Sequence, residues 1–431
     1  MSMVRWLTTR GAVVRVADTR LLPPLAGQLR EKFPDVDLHV GELEPQVFKG
    51  ADVVAISPGV PLAQPLVKRA RDQGIPVLGD IELFAHARKQ YVHSRVIAIT
   101  GSNGKSTVTT LLYHMCRADG RETLAGGNLG EPALDLLSQE VPDIYVLELS
   151  SFHLHRTSNL PAEVAVLLNV SPDHLDWHAD EAEYRESKYR VYRDAEAAVV
   201  NRADDEAVKR AAHCKRVVSF GLDAPQAGQY GLRIDEDQTY LACGETLLLS
   251  TRELAMYGVH NQLNALAALA AGDLLGLDMR AMLRVLVEFP GLPHRMQFVA
   301  RVGAVDYIND SKATNVAAAV ASIESVDSLL VLIAGGDGKG GDFTALSAAV
   351  EDKLRGAVLI GKDAEKIAHA LDTVMPVHFA DTMGAAVSMA AKCAESEDTV
   401  LLAPACASLD QYNNYMERGD AFCKAVEALK R

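Results

Sequence analysis

The sequence predicts an α/β protein of three domains with mainly parallel sheets, in which the central domain is of the P-loop type. Short apolar, β-branched runs alternate with amphipathic stretches rich in alanine and leucine over most of the 431 residues. Strands of this kind, separated by helices, are typical of parallel sheets that helices cover on both faces. One run continues into the glycine-flanked turn GSNGKST (101–107) and then into a helical pattern, as phosphate-binding loops do.

The predicted strands are spread along the whole chain. In order they are AVVRVAD (12–18), ADVVAISPG (51–59), VIAIT (96–100), IYVLELS (144–150), EVAVLLNVS (163–171), SLLVLIAGG (328–336), GAVLIGK (356–362) and DTVLLAPACAS (398–408). Ligands of open parallel sheets bind beyond the carboxyl ends of the strands. Each glycine-rich strand exit is therefore a candidate part of a binding site.

Two interruptions of the strand–helix pattern predict the domain boundaries. The charged stretch HARKQYVHSR (86–95) separates two sheet-like regions, and EFPGLPHRMQF (288–298) places two prolines and a glycine between a helix and new strands. We expect a first domain over 1–88, a central ATP-binding domain over 89–289 and a last domain over 290–431, which are ordinary domain sizes.

Composition excludes several classes of function. A formal net charge of −14 argues against a nucleic-acid surface, which needs a basic face. The six cysteines include no C-x-x-C pair, which indicates reduced thiols in the cytoplasm and argues against both a disulfide framework and a zinc site. No apolar run reaches the roughly 18 residues that a membrane span needs. We therefore expect a cytoplasmic protein that binds small molecules.

The turn at 101–107 is the first candidate site. Gly101 and Gly104 let backbone amides approach an anion, Lys105 can reach terminal phosphates, and the hydroxyl of Ser106 or Thr107 can meet Mg²⁺. The spacing departs from the common G-x-x-x-x-G-K-[ST] loop, because an isoleucine stands where the first glycine belongs. A polar strand-to-helix turn with a chance lysine is the alternative, but the strand and helix around it favour ATP.

Acidic and basic groups follow the next strands. Glu148 ends a predicted strand, where a carboxylate can bind Mg²⁺, although it could also be a solvated charge. His174 follows the strand after that, with His178 as a competitor for the same role. Lys188 lies on a helical stretch among arginines, which by default is a charged surface. Unlike arginine, a lysine with a lowered pKa can act as a nucleophile.

The order of motifs resembles the Mur ligase family over essentially the whole chain. The stretches that carry the resemblance are GDIELF (79–84), ITGSNGKSTVTTL (99–111), GGNLG (126–130), LELSSF (147–152), NVSPDHLDWH (169–178), GVHNQLNALAA (258–268), GLPHR (291–295), NDSKATN (309–315), GGDGKGGDF (335–343) and PACASLDQYNNY (404–415). A match of this extent is far more specific than a phosphate loop alone.

The resemblance implies an ATP-driven amide ligation in bacterial peptidoglycan precursor synthesis. The expected acceptor is the carboxylate of UDP-N-acetylmuramoyl-L-alanine, which takes the γ-phosphate of ATP to form an acyl phosphate, and D-glutamate is the expected amine. Another Mur ligase or a folylpolyglutamate synthase-like ligase is the alternative enzyme, although the motifs at 335–343 and 404–411 favour D-glutamate. The expected partners are small molecules only, with no nucleic acid, no membrane and a monomeric chain.

The resemblance also implies roles for individual residues. Lys105 is expected to hold phosphates within an ATP loop that includes Ser102, Asn103 and Thr107. Two Mg²⁺ ions are expected, one on Ser106 and Glu148 and one on His174 and a carbamylated Lys188. Other implied ATP contacts are Asn261, Asn264, Arg295, Asp310 (ribose) and Lys312 (phosphate). The implied D-glutamate contacts are Thr314, Lys339, Ser408, Leu409 and Tyr415, and the implied UDP-sugar contacts are Asp18, Thr19, Arg20 and Asn128.

Some of these residues also have simpler interpretations. Asn261 and Asn264 could cap a helix, and Lys339 could be a solvated loop lysine. Tyr415 stands where the family mostly has phenylalanine, so the shape of the D-glutamate site around this residue stays open.

The beginning of the chain departs from the family pattern. Family members open with a strand and a G-x-G-x-[ST]-G turn, whereas MSMVRWLTTRG aligns with the helix that follows that turn. We expect the first sheet to lack its central strand and the UDP site to lack one wall, through a truncated start. A nucleotide-binding chain that is inactive for this reason is the remaining alternative.

Overall fold

The structure is a computed structural model that describes residues 1–90, 93–171, 173–174, 177–371 and 376–430. It divides into two compact units, one of Met1–Leu248 with Asn264–Val285 and one of Leu249–Leu263 with Leu286–Arg431. This division does not test where three domains would begin and end, so the boundaries given above stay a prediction. Within the described residues, no helix is both long and apolar enough to cross a membrane.

The first ninety residues form two separate parallel sheets of two strands each, β1 with β2 and β3 with β4. The elements are α1 (Ser2–Thr8), β1 (Arg15–Asp18), α2 (Ala26–Lys32), β2 (Asp37–Val40), a 3₁₀ turn (Pro45–Phe48), β3 (Val54–Ile56), α3 (Pro65–Asp72), β4 (Val77–Gly79) and α4 (Asp80–Arg88). The helix α4 packs its buried residues Ile81 and Phe84 into the core of the first unit.

The following segment builds a nine-stranded sheet, with the order β13-β12-β11-β10-β9-β8-β5-β7-β6. Its elements, with α10 and α11 after it, are β5 (Arg95–Thr100), α5 (Lys105–Ala118), β6 (Thr123–Gly127), α6 (Ala133–Leu136), β7 (Ile144–Glu148), α7 (Ser151–Arg156), β8 (Ala162–Leu167), α8 (Glu181–Tyr189), β9 (Ala195–Asn201), α9 (Asp205–Ala211), β10 (Arg216–Phe220), β11 (Tyr230–Asp235), β12 (Gln238–Cys243), β13 (Thr246–Ser250), α10 (Val259–Leu274) and α11 (Met279–Glu288). Two 3₁₀ turns lie at Arg190–Tyr192 and Thr251–Glu253.

The middle of this sheet is parallel and buried on both faces. The strand β5 pairs in parallel with β7 on one side and with β8 on the other. All residues of β7 are buried, as are all but one of β5 and of β8. This explains why these strands are nearly continuous apolar runs in the sequence, since no side faces water. The carboxyl ends of three neighbouring strands therefore meet at one edge of the sheet.

The last segment forms a six-stranded sheet with the order β14-β15-β19-β16-β17-β18. Only the edge pair β14–β15 is antiparallel in this sheet; its other neighbours pair in parallel. The elements are β14 (Gln297–Val302), β15 (Val305–Asn309), α12 (Val316–Glu324), β16 (Leu330–Gly335), α13 (Thr344–Val350), β17 (Leu354–Ile360), α14 (Ala364–Leu371), β18 (Val377–Phe379), α15 (Met383–Cys393), β19 (Thr399–Leu402) and α16 (Tyr415–Leu429).

The two faces of this sheet build two hydrophobic cores. Along β16, Leu330 and Leu332 face a core that α12, α13 and α14 cover, whereas Val331 and Ile333 face one that α15 and α16 cover. The alternation follows from the two-residue repeat of a strand. A strand that helices cover on both faces therefore needs apolar residues at successive positions.

We predict that Gly335→Ala destabilises the second unit by roughly 3 kcal/mol. Gly335 ends β16 with φ = +123°, and a methyl group there would overlap the carbonyl oxygen of Ile360. Thermal and urea unfolding measure the effect. Gly384→Ala is the matched control, because that glycine is helical with open space around it and should gain stability from alanine. Equal stability of the two variants would contradict the prediction.

Candidate functional site

The turn between β5 and α5 is held as an anion-binding loop. Gly104 caps α5 in the left-handed region at φ = +83°, and the side-chain oxygen of Asn264 lies where a methyl group on Gly104 would be. Gly101 is similarly close to Leu168, since a methyl group there would lie 3.0 Å from that side chain. Both glycines therefore allow close packing, and the first amides of the fourteen-residue α5, which no side chain of the described residues caps, suit an anion.

Residues after β8 fix the shape of this loop. Asn169 accepts from the backbone N–H of Asn103 at 2.9 Å and donates to its carbonyl at 3.2 Å. The hydroxyl of Ser102 lies 2.7 Å from the hydroxyl of Tyr184 on α8 and 2.9 Å from the carbonyl oxygen of Ser171. The loop is thus prearranged by two side chains that the sequence analysis did not single out, Asn169 and Tyr184.

Two ammonium groups converge on one carbonyl of the loop. Lys105 donates to Gly101 O at 2.8 Å and to Ser102 O at 2.9 Å, and Lys188 donates to the same Gly101 O at 2.7 Å. Like charges so close repel each other, so this arrangement favours either an anion beside them or a neutral Lys188.

Lys188 has the environment of a neutral amine. It is 2% exposed, and its ammonium lies 4.9 Å from the centre of the Tyr184 ring. Burial first, and then the charge of Lys105, lower the pKa of Lys188 well below its ordinary value of 10.5, while Asp173 and Glu148 act in the opposite direction. The default interpretation of Lys188 as part of a charged helix surface is therefore wrong, and its side chain lies beside the phosphate loop.

Glu148 offers a carboxylate oxygen without a partner. It is 2% exposed at the end of β7, and Asn128 donates to its Oε1 at 2.8 Å. Among the described residues, Glu148 Oε2 is buried and accepts no hydrogen bond. A buried carboxylate with one oriented oxygen and one unpaired oxygen fits a magnesium ligand. A bound cation would offset the free-energy cost of burying the negative charge. The alternative of a solvated strand-end charge is wrong.

His174 lies on the segment that follows β8, at the same edge of the sheet. Its backbone is left-handed at φ = +54°, its ring packs 4.8 Å from that of Phe152, and its Nε2 lies 3.6 Å from Asp173 Oδ2. About half of the side chain is exposed, so the ring can reach an ion in solution. Its buried competitor His178 bonds Ser151 instead.

The predicted uridine contacts lie at the exit of β1. Asp18 bonds the guanidinium of Arg20 at 2.6 and 2.9 Å, which lowers the pKa of that carboxyl. Thr19 and Arg20 are exposed. The structure thus places these three residues at a strand exit, where a ligand of an open sheet would bind.

Four predicted ATP contacts lie in the second unit. Asp310 is buried, bonds the Ser322 hydroxyl, and has its pKa raised by burial. Asn261, also buried, donates to the carbonyl of Tyr257 at 2.7 Å, and Arg295 is half-buried. The ammonium of Lys312 lies 4.4 Å from the ring centre of Tyr415. A phenylalanine would offer the same face, so the tyrosine preserves this cation–π contact.

The other predicted D-glutamate contacts lie on loops at the carboxyl ends of β15, β16 and β19. Asp337 and Ala407 exchange two backbone hydrogen bonds of 2.9 Å, which join the loop of Lys339 to the loop of Ser408. Lys339 is exposed with φ = +51°, and Ser408 is buried. Thr314 is half-buried and Leu409 is 65% exposed.

Arg418 forms hydrogen bonds with all three of these loops, although the sequence analysis did not single it out. It is 1% exposed on α16 and donates to Ser311 O at 2.9 Å, Cys406 O at 3.0 Å and Gly335 O at 3.4 Å. Burial lowers its pKa to about 10, which leaves it a cation at neutral pH. We interpret Arg418 as a positioning residue, because each loop it holds carries predicted D-glutamate contacts or borders one.

Comparison with known proteins identifies the family of the chain. Family models described as the MurD-like N-terminal domain, the Mur ligase middle domain and the Mur ligase glutamate ligase domain match residues 1–79, 99–272 and 294–406. The chain belongs to the Mur ligase family. The predicted family, the α/β fold class and the ligase activity are thereby confirmed.

The curated relatives are ligases of one kind. The UDP-N-acetylmuramoylalanine--D-glutamate ligase of Pseudomonas syringae pv. syringae is 49% identical over 433 residues, which cover 100% of this chain and 96% of the relative. That of Methylobacillus flagellatus is 46% identical over 433 residues, covering 100% and 95%.

Solved structures share the fold at low identity. A UDP-N-acetylmuramoyl-L-alanyl-D-glutamate--2,6-diaminopimelate ligase gives a TM-score of 0.63 at 18% identity, covering 90% of this chain and 95% of that one. A pseudomurein peptide ligase type C from Methanothermus fervidus gives 0.59 at 19%, covering 100% and 97%.

We predict that Gly104→Ala weakens ATP binding by roughly 100-fold, because a methyl group would displace Asn264 and the first amides of α5. Gly120→Ala is the control: it follows the other end of the same helix at φ = +81° with open space around it. Both variants should lose about 1 kcal/mol of stability through backbone strain, and calorimetry should find weaker ATP binding only in Gly104→Ala. Unchanged affinity in that variant would refute the role of the loop.

We predict that Arg418→Lys raises the KM for D-glutamate at least about tenfold and destabilises the second unit by roughly 3 kcal/mol. An ammonium cannot reach three divergent carbonyls at once. Arg301→Lys is the control, since that arginine forms an exposed pair with Asp306. Steady-state kinetics with varied D-glutamate and thermal unfolding measure both effects. A wild-type KM would show that the loops do not depend on Arg418.

Proposed function

We propose that this ligase joins the amino group of D-glutamate to the carboxylate of UDP-N-acetylmuramoyl-L-alanine and converts ATP to ADP and phosphate. The observation that carries the proposal is the pair Lys105 and Lys188 on one carbonyl of the phosphate loop, beside a buried Glu148 with an unpaired oxygen. The names of the relatives that match the whole chain support the choice of substrates.

The reaction has two chemical steps. A carboxylate oxygen of the acceptor bonds to the γ-phosphorus, the bond from that phosphorus to the β–γ bridging oxygen breaks, and ADP leaves. The amine of D-glutamate then attacks the acyl carbon and loses a proton, and the tetrahedral adduct expels phosphate to leave the amide. The first step joins two anions, so it depends on charge neutralisation and alignment.

The phosphate loop supplies that neutralisation. In our proposal the amides of 101–107, with Ser102, Asn103 and Thr107 in the loop, bind the phosphates, and Lys105 moves from Gly101 O to the β- and γ-phosphates. By the resemblance to the Mur ligase family, Asn261, Asn264 and Arg295 would contact ATP, Asp310 its ribose and Lys312 a phosphate.

Three of the four proposed metal ligands offer oxygen, which magnesium prefers, and the fourth is the imidazole of His174. Ser106 and Glu148 would hold one ion, and His174 and a carbamylated Lys188 a second; bound there, Mg²⁺ would offset the charge of the phosphates and of the acyl oxygen. A buried lysine with a lowered pKa supports carbamylation, because the neutral amine can form an N–C bond to CO₂ with loss of one proton. The product is an anion that removes the repulsion from Lys105.

The remaining contacts belong to the organic substrates. Asp18, Thr19 and Arg20 would bind the uridine and Asn128 the sugar diphosphate. Lys339 and Ser408 suit the two carboxylates of D-glutamate, since one is a cation and the other a buried hydroxyl. Thr314, Leu409 and Tyr415 complete that set.

A substrate panel tests the assignment. We expect phosphate release only when ATP, Mg²⁺, UDP-N-acetylmuramoyl-L-alanine and D-glutamate are all present, with a new amide product by mass spectrometry. L-glutamate, diaminopimelate and L-alanine replace D-glutamate in parallel reactions, and a folate replaces the acceptor. Turnover with any of these instead would assign the chain to another ligase of the family. ATP binding without turnover in every reaction would indicate an inactive nucleotide-binding chain.

We predict that Lys188→Ala lowers kcat about 10³-fold and that acetate or formate partly restores it, because a small carboxylate can occupy the place of the carbamate. Lys209→Ala is the control, as that lysine is exposed on α9. Wild-type enzyme in CO₂-depleted buffer should lose activity and regain it with bicarbonate. Full activity without CO₂, together with no rescue by carboxylates, would exclude carbamylation.

A further inference from the structure

A second group of possible metal ligands lies outside the phosphate loop and the magnesium ligands proposed above. His155 lies on α7, Glu183 on α8, and His178 on the segment before α8. One ring nitrogen of each histidine and one carboxylate oxygen of Glu183 all lie within 4.8 Å of one another. Two imidazoles and a carboxylate are the protein ligands of many open zinc sites.

The hydrogen bonds of His155 fix its tautomer. The hydroxyl of Ser187 donates to the carbonyl of Glu183 at 2.7 Å, so its oxygen is left to accept from His155 Nδ1 at 3.0 Å. The proton of the neutral ring is therefore on Nδ1, and Nε2 carries the lone pair that an ion would take. A hydroxyl that orients a ligating imidazole in this way is a typical outer partner of a metal site.

His178 presents a buried nitrogen without a hydrogen-bond partner. Its side chain is 0% exposed, and its Nε2 lies 3.0 Å from the hydroxyl of Ser151. Among the described residues, Nδ1 makes no hydrogen bond, although it lies 3.4 Å from Glu183 Oε2. That oxygen also accepts from the backbone N–H of Ala179 at 2.9 Å, so the carboxylate is held in place.

The separation of 3.4 Å between His178 Nδ1 and Glu183 Oε2 is compatible with two ligands of one ion. Two ligand atoms that share a tetrahedral ion at about 2.0–2.2 Å lie roughly 3.3–3.5 Å apart.

The surroundings favour a soft divalent cation with access from solvent. Rings of Trp177, Tyr184 and Phe152 lie 4.6, 5.4 and 5.8 Å from that of His178, which gives the nitrogen an apolar shell. The side chain of Glu183 is 38% exposed, so an ion and a water can enter from that side. Imidazole nitrogen prefers Zn²⁺, Co²⁺ or Ni²⁺, whereas Mg²⁺ prefers oxygen.

We propose that His155, His178 and Glu183 bind one transition-metal ion of the zinc class, with water in the fourth position. The ion joins α7 to α8, the helix on which Lys188 lies, and so stabilises the packing of that helix. This proposal departs from the sequence analysis, in which the absence of a C-x-x-C pair argued against zinc, because the proposed site takes its ligands from two histidines and a glutamate.

Cobalt titration of the full chain tests the site. After treatment with a chelator, Co²⁺ should bind one to one with the strong visible absorption of tetrahedral cobalt, and Zn²⁺ should displace it and raise Tm. His155→Gln and Glu183→Gln should each weaken Co²⁺ binding by at least ~100-fold. Ser151→Ala keeps all three ligands and should weaken it by about tenfold.

Two controls separate this site from others. His369→Gln removes an exposed histidine and Lys209→Ala removes an exposed lysine; neither should change the cobalt spectrum or affinity. The proposal is overturned if stoichiometric Co²⁺ gives no tetrahedral band. It is equally overturned if His155→Gln, Glu183→Gln and Ser151→Ala, each with wild-type circular dichroism, bind Co²⁺ as the wild type does.

Discussion

Repulsion between Lys105 and Lys188 at one carbonyl oxygen is the constraint on which the site depends. Their ammonium groups donate to Gly101 O at 2.8 and 2.7 Å, and Lys188 is almost completely buried. An arrangement of this kind is stable when an anion lies beside it or when one lysine gives up its positive charge. In the proposed function, a triphosphate would supply the first condition and a carbamate on Lys188 the second. Both belong to the proposed phosphoryl transfer, because the triphosphate is its substrate and the carbamate would help to hold the Mg²⁺ that offsets the negative charge.

The order of strands explains how these groups come together. The strand β5 lies between β7 and β8, so the phosphate loop, Glu148 and the segment with Asn169 and His174 leave the sheet at one edge. Their strands are apolar and buried on both faces, which fixes the strand ends against a rigid core. In the second unit the same principle applies to β15, β16 and β19, whose loops the buried Arg418 joins. Each set of polar groups thus lies on loops that a parallel sheet holds in place.

The sequence predicted the parts of the site that are contiguous in the chain, but not the contacts that only the fold creates. The strands, the glycine turn and Glu148 were predictable, because apolar runs and their exits are contiguous in the chain. Lys188 was not predictable from its neighbours, since only the fold buries it beside Gly101 O. The same reason applies to Asn169, Tyr184 and Arg418, whose partners lie 66, 82 and 107 residues away. The resemblance to a family supplied Lys188 but none of the last three.

Isotope labelling tests most directly whether the acceptor carboxylate is activated as an acyl phosphate. In the proposed reaction this carboxylate attacks the γ-phosphorus, so one of its oxygens must leave with the phosphate. UDP-N-acetylmuramoyl-L-alanine labelled with ¹⁸O in the carboxylate is ligated to D-glutamate, and the inorganic phosphate is analysed by mass spectrometry. We expect one ¹⁸O atom in each phosphate released. Unlabelled phosphate accompanied by amide product would contradict it, because the carboxylate would then have been activated by another route.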